Sequence, residues 1–326
     1  MALEPVTQKI LESLAASGLP PAYFLPAEQA RAQMNALFIT NETPETVGSV
    51  VNTYIPCSWG NLGIRIYTPS GQGIFPVFVF FHGGGWSMSN IETHDALCRR
   101  ITNLSDCIVI SVDYRLAPEH KYPAAVDDAY TAMQWAFDNA ARLNGDPEKI
   151  IVGGDSSGAA LAAVVCMMAR DRGKLDIAYQ VLIYPPTDYY LPGTKSYIEN
   201  GTGYFIDRDF MIWFWNNYLP SDADLNNPYV CPLRAKDFSN LPPAIVLTCE
   251  YDPLRDEGEE YARKLQEAGV DVEFKRYDGM IHGFILQFGI MSQAHDAIQQ
   301  IASGIKKKSA YPITAPKQKQ ADFDRL

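Results

Sequence analysis

Residues Ile150-Ile151-Val152-Gly153-Gly154-Asp155-Ser156-Ser157-Gly158 run straight into Ala159-Ala160-Leu161-Ala162-Ala163, an apolar strand turning without a linker into a helix of small residues. Few chains can make that turn. A residue at its apex needs neighbours two positions away on either side that carry no side chain, and Gly154 and Gly158 supply them around Ser156. Ser157 at the apex would instead be flanked by Asp155 and Ala159, so the phase selects Ser156. The turn leaves a serine hydroxyl exposed at the end of a strand, where it can act as a nucleophile.

The rest of the chain supplies the matching architecture. Stretches near 46–56, 61–68, 75–81, 107–112, 149–153, 178–184, 244–250 and 271–277 read as strands, several of them continuous apolar runs such as Val77-Phe78-Val79-Phe80-Phe81. Helical patterns lie between the later ones, at 124–143, 157–171, 256–268 and 292–307. The alternation predicts an α/β protein with a mostly parallel, eight-stranded sheet covered by helices on both faces, its first strands antiparallel. Two helices, near 4–17 and 27–37, precede it within residues 1–45. Between 185 and 240 the strand signal stops, and Tyr189, Tyr197, Phe205, Phe210, Trp213, Phe214, Trp215 and Tyr218 crowd together. This interval reads as an inserted helical cap dividing the core into 46–184 and 241–308. Residues 309–326 have few apolar positions and two prolines, the composition of a poorly ordered tail.

A second glycine-rich turn, Phe81-His82-Gly83-Gly84-Gly85-Trp86, also follows an apolar strand. Consecutive glycines let backbone N–H groups face a cavity, where they can hold the negative oxygen of a tetrahedral intermediate. Such a loop, about 70 residues before a GxSxG elbow, is the oxyanion partner in the α/β-hydrolase fold. The N–H groups of Gly83, Gly84 and Gly85 are therefore candidate donors, and that of Ser157, opening the helix after the nucleophile, is another. Of the five histidines, His82 sits in this loop in a supporting role, and His94, His120 and His295 fall in or beside helices. His282 follows the last strand in Met280-Ile281-His282-Gly283-Phe284, where a general base is needed. An acid must lie between Ser156 and His282 in the chain. Asp252 fits at the end of a strand; Asp256, four residues on, is the alternative, or else a cap for the following helix.

Taken together, His82-Gly83-Gly84-Gly85-Trp86, Glu92-Thr93-His94-Asp95, Asp113-Tyr114-Arg115-Leu116-Ala117-Pro118-Glu119, Gly154-Asp155-Ser156-Ser157-Gly158, Asp252-Pro253-Leu254-Arg255-Asp256 and His282-Gly283-Phe284 resemble the hormone-sensitive-lipase-like family of microbial carboxylesterases. The likeness spans roughly residues 5–308. It implies an α/β-hydrolase fold, a triad of Ser156, Asp252 and His282, oxyanion donors at Gly84, Gly85 and Ser157, and a cap made of the N-terminal helices and the insertion. The family usually has alanine where Ser157 stands and glycine where Ala159 stands; neither change removes a backbone donor. Arg115 and Glu119 read as scaffold, a salt bridge or loop brace. Met211, Phe214 and Trp215 share one helix face at i, i+3 and i+4, which the resemblance places over the serine beside Trp86. These four are the candidate substrate-binding residues, and their bulk suits short to medium acyl groups.

The expected activity is hydrolysis of a small-molecule carboxylic ester. The same triad also serves amides and lactones. A non-catalytic small-molecule receptor is disfavoured by the presence of His282. No metal-ligand cluster or cofactor motif is present, and the six cysteines show no CxxC pair, so reduced, mostly buried thiols are expected. The net charge of −11 argues against a nucleic-acid partner. No apolar window reaches the roughly 20 residues of a membrane span, and Glu4, Lys9 and Glu12 interrupt any signal-peptide core, so a cytoplasmic protein is expected. A homodimer is neither required nor excluded by the sequence.

Overall fold

The run Phe75–Phe81 serves two cores at once. In the computed structural model, which describes residues 2–38 and 44–310, it forms strand β3, and Val77 through Phe81 are fully buried. Side chains alternate across a strand, so Val77, Val79 and Phe81 join one apolar cluster while Phe78 and Phe80 join another on the opposite face. Burial on both faces explains why the run is apolar throughout.

The other strands are β1 (Ser49–Cys57), β2 (Gly60–Thr68), β4 (Ile108–Asp113), β5 (Gly145–Asp155), β6 (Tyr179–Ile183), β7 (Ala244–Tyr251) and β8 (Val272–Ile281). They form one eight-stranded sheet in the order β1-β2-β4-β3-β5-β6-β7-β8. The β1–β2 and β2–β4 pairs are antiparallel and the remainder parallel, as the alternation predicted. Strand β5 starts at Gly145 rather than near 149; its polar first residues pair only at Phe75 with Gly145, before a register shift.

Helices α1 (Pro5–Ala16) and α2 (Ala27–Phe38) precede the sheet, followed by α3 (Asp95–Ser105), α4 (Ala124–Asn139), α5 (Ser157–Arg172), α6 (Lys195–Glu199), α7 (Arg208–Tyr218), α8 (Arg255–Glu267) and α9 (Ser292–Ala310). Helices α4, α5 and α8 cover the Val77 face through Met133, Leu161 and Leu265; α3 and α9 cover the Phe78 face through Ile101, Ile298 and Ile301. Helix α3 has no counterpart among the helical patterns of the sequence. Its Asp95, Cys98, Thr102, Asn103 and Ser105 are weak helix formers, and packing of Leu97, Cys98 and Ile101 decides the matter instead.

Between β6 and β7 lie α6, α7 and a short turn at Pro232–Arg234, with no strand. The N-terminal segment reaches this stretch: Tyr23 packs edge-on against Phe210 at 5.7 Å and donates to Asp207 Oδ2 at 3.3 Å. Helix α9 extends through the first two residues of the expected tail, and the rest of that tail lies outside the described residues. Arg115 and Glu119 do not pair with each other. Arg115 binds Asp128 at 2.8 Å and lies over the Trp59 ring, whereas Glu119 pairs with Arg31 of α2. Among the described residues no helix is long and apolar enough to cross a membrane.

Candidate active site

Ser156 follows β5, Asp252 follows β7 and His282 follows β8, so the sheet delivers all three to the carboxyl edge of its parallel strands. His282 Nε2 is 2.8 Å from Ser156 Oγ, and His282 Nδ1 is 2.7 Å from Asp252 Oδ2. Asp252 can only accept, so Nδ1 carries the proton and Nε2 is left to receive one from the serine. Asp252 is fully buried and its other oxygen accepts the Leu254 amide at 2.9 Å, which fixes the carboxylate plane. The arrangement fits a Ser-His-Asp triad.

The elbow is strained as the glycine phase requires. Ser156 has φ 51° and ψ −126°, a conformation a side-chain-bearing residue rarely adopts. A Cβ on Gly154 would come within 2.2 Å of the Phe81 carbonyl oxygen, and one on Gly158 within 1.9 Å. The helix therefore presses directly onto the end of β3, where the His82–Trp86 glycine loop begins.

That loop is anchored from below. Gly83 donates its amide to Asp155 Oδ1 at 2.8 Å, so this N–H is spent on the scaffold and does not face the serine. The expectation of Gly83 as an oxyanion donor is thus corrected: the amide direction is set by Asp155, a residue of the elbow itself. The amides of Gly84, Gly85 and Ser157 donate to no acceptor among the described residues. Burial drives the Asp155 carboxyl upward, but His94, lying 3.0 Å away through Nε2, and the Gly83 amide more than offset it, leaving the group below the usual carboxylate range. The contact with His94 is short but lacks hydrogen-bond alignment. His82 stacks on Tyr114 at 4.4 Å, and its carbonyl accepts the Tyr114 hydroxyl at 2.8 Å. Burial, aided by neighbouring His94, lowers its pKa to about 3, so His82 is a neutral brace. Asp155, His94 and Tyr114 escaped the sequence reading as site residues, although each lies within a motif singled out there.

Asp256 faces away from His282. Its Oδ2 accepts the Ser196 amide at 2.8 Å and its Oδ1 the Arg255 guanidinium, while Ser196 Oγ donates to the Pro253 carbonyl at 2.6 Å. Asn200 Nδ2 reaches the carbonyls of Glu250 and Asp252, each at 3.1 Å. Short helix α6 is thereby clamped onto the loop that carries Asp252.

A narrow chamber of about 40 Å³ lies over Ser156, lined by Gly84, Gly85, Met34, Met88, Phe205 and Phe214 among others. Of the four residues expected to line it, only Phe214 does. Trp86 is buried behind it, stacked on Tyr218 at 4.2 Å and tilted against Trp215 at 4.8 Å, and Met211 is likewise buried. An i, i+3, i+4 face spans more arc than one small chamber can expose, so its flanks became packed core. Met34 of α2 and Phe205, both missed from sequence, complete the wall.

A model of a family with the α/β hydrolase fold matches residues 78–286. Carboxylesterase NlhH of Mycobacterium tuberculosis is 38% identical over 322 residues, covering 94% of this chain and 96% of that protein. An arylesterase of Saccharolobus solfataricus is 41% identical over 259 residues, covering 79% and 84% respectively. Among solved structures, a hyperthermophilic esterase from the archaeon Pyrobaculum calidifontis aligns with a TM-score of 0.91 at 43% identity, over 95% of this chain and 100% of that one.

Proposed function

The chain belongs to the α/β hydrolase family, and from that premise we propose that it is a carboxylester hydrolase acting on small esters of short to medium acyl chains. The observation that carries this reading is the continuous relay from Asp252 through His282 to a serine held on a strained elbow. Ser156 Oγ attacks the ester carbonyl while its proton passes to His282 Nε2. The oxyanion that forms is held by the Gly84, Gly85 and Ser157 amides, which have no other acceptor among the described residues. His282 then returns the proton to the departing alcohol oxygen, leaving an acyl group on Ser156. Water attacks the acyl-enzyme with His282 as base, and collapse of the second oxyanion releases the acid and the free serine. Asp252 orients the imidazole and stabilises the imidazolium.

In this reading α1, α2 and residues 185–240 form a cap over the serine, an assignment supported by the Tyr23–Phe210 and Tyr23–Asp207 contacts. The unpaired, buried state of Cys98, Cys107, Cys166, Cys231 and Cys249 suits a reducing cytoplasm. A panel of p-nitrophenyl esters and matched p-nitroanilides tests the activity. Esters are expected to turn over far faster than anilides, with kcat/KM falling well before palmitoyl. Preferred cleavage of the anilides, or an optimum at long-chain esters, would overturn it.

A further inference from the structure

A second cavity, of about 590 Å³, adjoins the chamber at the serine and shares Phe205, His282 and Gly283 with it. One wall is the apolar face of α1, where Val6, Ile10 and Leu14 recur at i, i+4 and i+8. Neither Ser156 nor the oxyanion-loop glycines lie on this cavity; His282 lies on both. The proposed reaction gives that asymmetry a chemical meaning. His282 Nε2 must protonate the leaving alcohol oxygen, so the alcohol departs on the histidine side. The acyl carbon, bonded to Ser156 Oγ with its oxygen at the Gly84 and Gly85 amides, starts its chain in the small chamber those residues line.

That chamber cannot take much. Its volume of about 40 Å³ is a small fraction of the 590 Å³ of the adjoining cavity. Nor can its wall retreat. Phe214 stacks on Phe210 at 4.5 Å and lies so close to Gly85 that a Cβ there would come within 2.0 Å of its ring. Met211 and Trp215, on the same helix, are buried beside it.

We infer that the substrates are esters joining a short acyl group, no longer than butanoyl, to a larger apolar alcohol lying along α1. This rests on the ester-hydrolase reading and adds which half of the ester is large. Each alcohol methylene buried along α1 should raise kcat/KM by up to about fourfold until the cavity is spanned. Two series separate the halves: alkyl acetates from methyl to octyl, and methyl alkanoates from acetate to octanoate, both followed by acid release. The acetates should climb at least tenfold from methyl to hexyl, and the methyl alkanoates should fall beyond butanoate. Ser13→Trp, at an exposed α1 position on the large cavity, should pull the hexyl-to-methyl acetate ratio toward one. A flat acetate series, methyl alkanoates that rise to octanoate, or an unchanged ratio in Ser13→Trp would each overturn the inference while leaving the hydrolase reading intact. Failure to cleave any ester in either series would instead sink the hydrolase reading.

Discussion

Asp252 and Asp256 stand four positions apart, yet one accepts from His282 and the other from the Ser196 amide. Asp252→Asn leaves a neutral partner that disfavours the productive imidazole tautomer and should lower kcat by about four orders of magnitude. Asp256→Asn should mainly lower melting temperature, because it loosens α6 from the acid loop without touching the relay. Steady-state kinetics on the two folded mutants check this, and a reversed ranking would move the acid to Asp256. At this scale the elbow is legible in the sequence because its chemistry is local: Gly154 and Gly158 are demanded by the Phe81 carbonyl lying against both. A direction decided by a distant partner is not. Gly83 looks the same as Gly84 in the chain, and only the Asp155 carboxylate, 72 positions away, turns its amide inward.

At the scale of elements, the strands were legible because burial on both faces leaves an unbroken apolar run, as at Ile150–Val152 and Ala244–Leu247. Helices with a long small-residue or amphipathic pattern, such as α5 and α4, were equally plain, although α4 gives way at Asn139 to a tighter turn over Ala140–Leu143. Helix α3 was not, since its fold depends on α9 and the sheet rather than on its own propensities. Of the aromatic face of α7, Phe214 lines the chamber and Met211 and Trp215 do not. The C-terminus of α7 is fixed by Lys121, whose ammonium donates to the carbonyls of Asn216, Asn217 and Leu219. That anchor, with the Trp86–Tyr218 stack, holds Phe214 alone over the serine while Met211 and Trp215 pack behind. No pattern along eleven residues could have told those three apart.

For the molecule as a whole, the site and the acid stability of the fold share a cause. His82 titrates near pH 3 when folded, against an ordinary value of 6.5, because it is buried and faces His94. Between those values the unfolded chain binds a proton that the folded chain refuses, so stability falls as pH drops through this window, by about 1.4 kcal/mol per unit for one such group. Asp155 acts with the same sign: its folded pKa lies below the ordinary carboxylate value, so its contribution is present above that value and is lost at still lower pH. The melting temperature of His82→Gln relative to wild type should therefore rise as pH drops from about 6.5 to 4. An identical slope in the mutant would remove His82 from the account. The central claim, that the elbow serine is the nucleophile of an ester hydrolase, is tested most directly by peptide mapping after reaction with a fluorophosphonate, alongside ester turnover by Ser156→Ala and Ser157→Ala. The expected result is a single adduct on Ser156, loss of about six orders of magnitude in kcat for Ser156→Ala, and most activity retained by Ser157→Ala. An adduct on any other residue, or substantial turnover by Ser156→Ala, would contradict it.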